Sequence, residues 1–365
     1  MNLFSIFNVL LLSFYTSAQL FAFQTTTEKL LANPDITWAG EVYVDYLPNI
    51  TIQEPVDAQI KELYGTSEYN VFEILKIQTS PLEDWLQPTS HLLSNHFLQL
   101  TSKHLNAYAD ANLTQKLSPK AYSKAAAYQV VDTVLAFDPE TYVEMVKIDT
   151  NELRPQEVQT FRVKQLLTYN ESQNQLQITP IAIAPVATIY NKSSLRRNVR
   201  KDVLFWMPVK EAFKALNLET TTITWAKRLK KDVPSETINT IKGTGSIADV
   251  FDKMVAHYKT QPSSTKMYAA KEKQLTLLSP DAVKNFGDAV DTVVTFDPNT
   301  FEERIDVVHR NLPKNFATKV RLIQDWYWNA QTQEMQIRTL GFAPISSQTD
   351  AKTKHAPMYY IKTKE

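Results

Sequence analysis

The chain has 365 residues, 43% hydrophobic and 21% charged, enough apolar material for a buried core in each of two or three domains. Its 39 basic and 39 acidic side chains balance to a formal charge of +0, so no basic field draws in nucleic acid and no such partner is expected. Cysteine is absent, which excludes disulfides, thiolate metal sites, a cysteine nucleophile and a lipid anchor on an N-terminal cysteine.

At the N-terminus, Leu3 to Tyr15 is apolar except for Ser5, Asn8 and Ser13, and Thr16-Ser17-Ala18 follows. That pattern predicts a signal peptide over 1–18, cleaved between Ala18 and Gln19. The run is shorter than the roughly 20 residues that span a bilayer. The mature chain is therefore expected to be exported and to have no direct membrane anchor.

The middle of the chain repeats itself. Val131-Asp132-Thr133-Val134 recurs as Val290-Asp291-Thr292-Val293, and Phe137-Asp138-Pro139-Glu140-Thr141-Tyr142 recurs as Phe296-Asp297-Pro298-Asn299-Thr300-Phe301. The offset of 159 (290 − 131) runs without a gap to Ala184-Pro185-Val186 and Ala343-Pro344-Ile345, with 17 of 56 aligned positions identical. Self-similarity over such a length predicts two tandem copies of one unit. The first copy is expected over 19–190, a linker over 191–198, the second copy over 199–346 and a loosely ordered tail over 347–365. Asp35-Ile36-Thr37-Trp38 and Asp202-Val203-Leu204-Phe205-Trp206 are the candidate starts of the two copies.

Each copy reads as helix, then strands. A helix is expected over 90–108 in the first copy, carrying Leu93, Phe97, Leu98, Leu100 and Leu105. In the second, Ile247, Val250, Phe251, Met254, Val255 and Tyr258 recur at helical spacing behind Ser246 as N-cap. Val131, Thr133, Leu135 and Phe137 alternate with Asp132, Val134 and Ala136, the pattern of a half-buried strand. Asp-Pro-x-Thr is a turn that closes a hairpin in each copy. Strands three and four follow at 161–169 and 176–183, and again at 320–328 and 335–342. Pro180 places a bulge or an edge in the fourth strand of copy one. The fold class is α+β, with helices packed on a small antiparallel meander sheet in each copy.

Chemistry is hard to find in this pattern. His91, His96, His104, His257, His309 and His355 form no His-x-x-x-His pair with an acidic neighbour. Gly243-Thr244-Gly245-Ser246 lacks the frame of a phosphate-binding loop and reads as a loop with an N-cap. Glu144 and Glu303 are placed to pair with Arg162 or Arg321 on a nearby strand as structural ion pairs. No cofactor and no metal are implied, and the chain is not expected to be an enzyme. The richest cluster is Arg321-Leu322-Ile323-Gln324-Asp325-Trp326-Tyr327-Trp328. Alternation sets Trp326 and Trp328 on one face and Asp325 and Tyr327 on the other, which means either a doubly covered sheet or a docking surface. Arg321, Asp325, Trp326, Tyr327 and Trp328 are the candidate partner-contact residues.

At these residues the chain resembles the gliding-motility GldN (PorN) family of the type IX secretion system of Bacteroidetes. The resemblance lies in Asp291-Thr292-Val293-Val294-Thr295-Phe296-Asp297-Pro298-Asn299-Thr300-Phe301-Glu302, in Arg321 to Trp328, and in Ile337-Arg338-Thr339-Leu340-Gly341-Phe342-Ala343-Pro344-Ile345. It covers mainly the second half, with the first half a diverged copy. It implies a periplasmic protein, associated with the outer membrane through partners. Those partners would be an outer-membrane lipoprotein ring subunit and other secretion-machine proteins, with self-assembly also open. It implies neither catalysis nor cofactor. The alternative function is a periplasmic glycan- or peptide-binding module with Trp326, Tyr327 and Trp328 as a stacking platform.

Overall fold

The computed structural model describes residues 26–48, 92–137, 139–190, 199–211, 222–264, 266–271, 274–346 and 357–363. The expected signal peptide and linker lie outside them. The first half contains α1 (Thr26–Ala32), β1 (Ile36–Tyr46), α2 (Leu93–Leu98), α3 (Pro119–Ala127), β2 (Gln129–Phe137), β3 (Glu144–Glu152), β4 (Thr160–Asn170) and β5 (Gln175–Tyr190). Two short strands follow, β6 (Val199–Val203) and β7 (Met207–Glu211). The second half contains β8 (Ile223–Pro234), β9 (Asn239–Lys242), α4 (Ile247–Thr260), β10 (Met267–Lys271), β11 (Gln274–Leu277), α5 (Pro280–Lys284), β12 (Ala289–Phe296), β13 (Glu303–Arg310), β14 (Ala317–Asn329), β15 (Glu334–Ser346) and β16 (Tyr360–Lys362).

The architecture is α+β with strands dominant. One sheet of twelve strands joins both halves, in place of the two small sheets expected. Strand β7 is the joint: it pairs in parallel with β15 at Met335–Ile337 and antiparallel with β5 at Ala182 and Ile183. The sheet folds back on itself, so that Tyr46 of β1 sets its ring edge-on to Trp326 of β14, with centroids 4.8 Å apart. Phe97 of α2 fills the space beside both layers, 5.1 Å from Phe161 of β4 and 5.1 Å from Trp328 of β14.

The expected meander is broken in both halves. Hairpins β2–β3 and β12–β13 are sheets of two strands each. The edge of β4 that β3 would have taken is filled by β1, and the matching edge of β14 is filled by β8. Each hairpin therefore stands off the main sheet. Phe137, read as part of a half-buried strand, is instead 63% exposed, and Phe296 in the second hairpin is 62% exposed.

The two halves nevertheless follow one another closely. Strand β4 pairs with β1 and β5, and β14 pairs with β8 and β15, all antiparallel. The β4–β5 register slips between Lys164 and Gln165, leaving Ile181 as the extra residue. The β14–β15 register slips between Ile323 and Gln324, leaving Leu340 as the extra residue. Those positions are also 159 apart. The Pro180 bulge is thus real, yet it occurs in the second half without proline. Left-handed backbone recurs too, at Tyr142 and Phe301 after the hairpin turns and at Asn174 and Gln333 after the next.

Helix α4 carries the six predicted residues, all buried, and Ser246 closes a capping box with Asp249. Gly245 (φ +84°) turns the chain into that cap, and Gly243 (φ +79°) passes so close to Thr37 that a Cβ would sit 2.4 Å from its carbonyl oxygen. The glycine loop therefore serves packing: Trp38 Nε1 donates to Gly245 O at 3.2 Å. Ser118 and Ser279 cap α3 and α5 by accepting from Ala121 N and Ala282 N, both at 3.2 Å.

Three further expectations change. The helix over 90–108 shrinks to the six residues of α2 and a single 3-10 turn at Ser102–His104. The boundary near 190 is flanked by paired strands, since β5 and β6 align Tyr190 with Val199. The C-terminal segment is no loose tail from Pro357 onward. Strand β16 lies between β10 and β15, and Tyr359 and Tyr360 are buried. An aromatic pair of that size anchors a terminus more firmly than the surrounding Lys and Thr suggest.

Candidate functional site

The aromatic cluster lies on β14, a strand hydrogen-bonded on both edges along its length. Its neighbours leave no free rim, and its two faces are both covered. Asp325, Trp326 and Tyr327 are 0% exposed and Trp328 is 2% exposed. The doubly covered sheet is the outcome, and these four side chains are interior.

On one face, Trp326 meets the Tyr46 ring, and Trp328 stacks on the His96 imidazole at 5.6 Å. Beside Trp326 lies a ring of buried polar groups. Gln165 Nε2 donates to Tyr46 Oη at 2.8 Å, Tyr46 Oη donates to Gln324 Oε1 at 3.0 Å, and Gln324 Nε2 donates to Gln165 Oε1 at 3.0 Å. Gln324 Nε2 also reaches Thr339 Oγ1 at 3.1 Å. The ring is closed and each partner satisfied, which is the condition for a buried polar network to be tolerated. Burial raises the Tyr46 phenol pKa well above its usual value, against a smaller lowering by Gln165.

On the other face, Arg228 of β8 holds Asp325 by both carboxylate oxygens, Nε to Oδ1 at 2.6 Å and Nη2 to Oδ2 at 2.8 Å. Tyr327 Oη donates to Asp325 Oδ2 at 3.2 Å. Burial first, then the Asp325 charge, raises the Tyr327 pKa far above normal. A charged carboxylate without a partner would be costly here, and the two-pronged guanidinium removes most of that cost.

Arg321, the fifth candidate, is partly exposed and grips Asp232 of β8, Nε to Oδ1 at 2.6 Å and Nη2 to Oδ2 at 2.8 Å. Arg162, 159 positions earlier, grips Asp45 of β1 in the same way at 2.7 and 3.0 Å. The ion pairs foreseen for Glu144 and Glu303 thus form with different carboxylates. Both glutamates are exposed on the hairpins, away from β1 and β8. Sequence reasoning missed Tyr46, Gln165, Asp45, Asp232 and Arg228. A signal was present: Ile36-Thr37-Trp38-Ala39 recurs as Ile223-Thr224-Trp225-Ala226, and these open β1 and β8. The matching segments thus start at 36 and 223, whereas Trp206 lies between β6 and β7.

The site is thus a set of side chains that bind one another across strands. Residues 85–233 match the family model described as gliding motility associated protein GldN. Over that stretch, 149 of 365 residues, the chain is similar to the GldN family. The match begins ahead of α2 and ends within β8, so it lies mostly in the first half, whereas the resemblance was clearest at 291–345. Among curated proteins, the chain is similar to a glutamyl-tRNA(Gln) amidotransferase subunit of Thermococcus gammatolerans, at 25% identity over 260 residues, 69% of this chain. The chain spans 38% of that protein's length. A likeness of this extent assigns no activity. No helix among the described residues is long and apolar enough to cross a membrane.

Proposed function

We propose that this chain is a member of the GldN family and a periplasmic assembly subunit of the type IX secretion and gliding-motility machinery. Its partners on this reading are an outer-membrane lipoprotein ring subunit and other machine proteins, and it performs no catalysis. The family match over residues 85–233 carries the proposal. The interior supports it: Arg228, Asp325, Gln165 and Gln324 are spent on one another rather than aimed into a cleft. Arg321, Asp325, Trp326, Tyr327 and Trp328 then serve a partner indirectly, by fixing the shape of the surface it meets.

We further propose that the halves are tandem copies of one unit, over 19–190 and 199–346, with β1 and β8 as equivalent first strands. The shared bulges, ion pairs and left-handed positions support that reading. The glycan-binding alternative required Trp326, Tyr327 and Trp328 as an open platform. Their burial leaves no flat face for a sugar ring. The test is affinity purification of the tagged chain from its native envelope. Co-purification of a lipoprotein and other secretion-machine proteins is expected; recovery of the chain alone, after mild solubilisation and cross-linking, contradicts the proposal.

A further inference from the structure

Lys164 of β4 is only 2% exposed. Lysine is almost never fully buried unless its amine is engaged. The residue 159 positions on is Ile323, which is 0% exposed beside Leu340, Ala343 and Tyr360. One half thus places an amine where the other places a hydrocarbon.

Two side chains meet that amine. Strands β1 and β4 align Tyr43 with Lys164 and Glu41 with Leu166. Residues two apart share a face, and Lys164 Nζ lies 2.8 Å from Glu41 Oε2. The same Nζ donates to Asn112 Oδ1 over 2.6 Å. The Asn112 Cγ is one carbonyl bond, about 1.2 Å, from that oxygen. The amine therefore lies within about 4 Å of a carbonyl carbon, near the separation of about 3–3.5 Å at which such groups react. The loop that brings Asn112 is itself held. Asp110 accepts from Asn112 N at 2.9 Å and from Gln115 N at 2.8 Å, and Tyr108 exchanges two 2.8 Å backbone bonds with Trp206. Trp206, Leu166 and Ala182 form a small apolar cluster on this side of the sheet, and the Tyr43 ring lies 6.0 Å from Nζ. A buried amine beside a carboxylate base and a fixed carbonyl is the arrangement of an activated nucleophile.

We propose that Lys164 and Asn112 join in an amide bond within the chain, formed by the protein on itself with Glu41 as base. Glu41 takes a proton from the Lys164 ammonium. The amine then attacks Asn112 Cγ; the Nζ–Cγ bond forms and the Cγ–Nδ2 bond breaks. The second amine proton and the one held by Glu41 pass to the departing Nδ2, which leaves as ammonium. Glu41 ends ionised as it began, and no oxidant or other co-reactant is consumed. Asn112 lies on an exposed loop, which gives the ammonium a way out. The bond joins residues separated by 52 positions and encloses α3 and hairpin β2–β3. In a chain without cysteine, it does what a disulfide does elsewhere, restricting the unfolded chain.

Peptide mapping of the purified full chain by mass spectrometry tests this. The peptide carrying Asn112 is expected to be joined to the one carrying Lys164, lighter than the two together by one ammonia, about 17 Da. Asn112→Asp keeps the carbonyl and is expected to join with loss of one water, about 18 Da. Glu41→Gln and Asn112→Ala are each expected to leave the two peptides separate. Asn112→Ala is expected to keep the native circular dichroism, because the loop is exposed, and to melt at a lower temperature than the joined chain. Separate peptides from the unaltered folded chain overturn the proposal, even if ammonia has been lost at Asn112 alone. Joining in Glu41→Gln at undiminished yield overturns it as well.

Discussion

Gln324 donates from its side-chain amide to the carbonyl oxygen of Gln165 over 3.0 Å, and the two residues lie 159 positions apart. That is the offset at which the sequence repeats. On the proposed duplication, the two halves would meet at equivalent residues, as related subunits meet on a two-fold axis. Tyr46 closes the contact by accepting from one glutamine and donating to the other.

Because this ring is fully buried, breaking it from one side leaves orphaned groups. Gln324→Leu or Gln165→Leu is expected to cost about 1–3 kcal/mol of unfolding free energy. The double substitution is expected to cost less than the sum, since the orphans the two glutamines leave on each other then disappear, and the Tyr46 hydroxyl stays without its partners. Urea unfolding of the two single variants and the double variant measures this directly.

The matched ion pairs predict an acid limb. Burial alone pushes the Asp45 carboxyl up, but the Arg162 hydrogen bonds and charge, with Lys201, outweigh it and hold the pKa below normal. A folded pKa below the unfolded one stabilises the fold above the unfolded value and is lost as pH falls through the folded value. The contribution is therefore complete at neutral pH and disappears below about pH 4. Asp45→Asn is expected to cost about 1 kcal/mol at neutral pH, discounted for partial exposure. Unfolding at pH 7 and pH 3 is expected to show that difference shrinking.

The aromatic cluster predicts a fluorescence signature. Trp38, Trp206, Trp225, Trp326 and Trp328 are all buried, and Trp85 lies outside the described residues. A Trp85→Phe protein is expected to emit at short wavelength and to resist acrylamide quenching. Trp326→Ala is expected to cost about 3–5 kcal/mol, read by thermal or urea unfolding.

The C-terminal strand predicts a cost of truncation. Ending the chain after Ser346 removes Tyr359 and Tyr360 from the core and uncovers an edge of β15. A loss of about 3 kcal/mol or more is expected, at roughly 1.5–3 kcal/mol for each large buried side chain. Calorimetry of the truncated chain against the full chain gives the answer.

Much of the fold was legible because periodicity is a local property. The six apolar residues of α4, its Ser246 cap, both hairpins and strands β4, β5, β14 and β15 follow from spacing and turn residues alone. What stayed hidden was which strands pair across long stretches of chain. Strand β1 reaches β4 over more than a hundred residues, and nothing in its alternation names that partner. The Ile-Thr-Trp-Ala repeat did name the equivalence of β1 and β8, but it lies at a different offset from the rest because the intervening lengths differ. The five candidate residues were correctly gathered onto one strand. The burial of Asp325, Trp326, Tyr327 and Trp328 was not legible, since a two-faced aromatic strand has the same sequence whether a sheet or a partner covers it. The apolar hairpin faces were misread for the converse reason: alternation marks a face to be covered but not what covers it.

The central claim is that this chain works as a part of the gliding and secretion machinery. Its most direct test is a deletion strain, scored for proteins released to the medium and for surface gliding, beside the same strain carrying the gene in trans. Loss of both activities and their return on complementation is the predicted result. Undiminished secretion and gliding in the deletion strain would contradict the account.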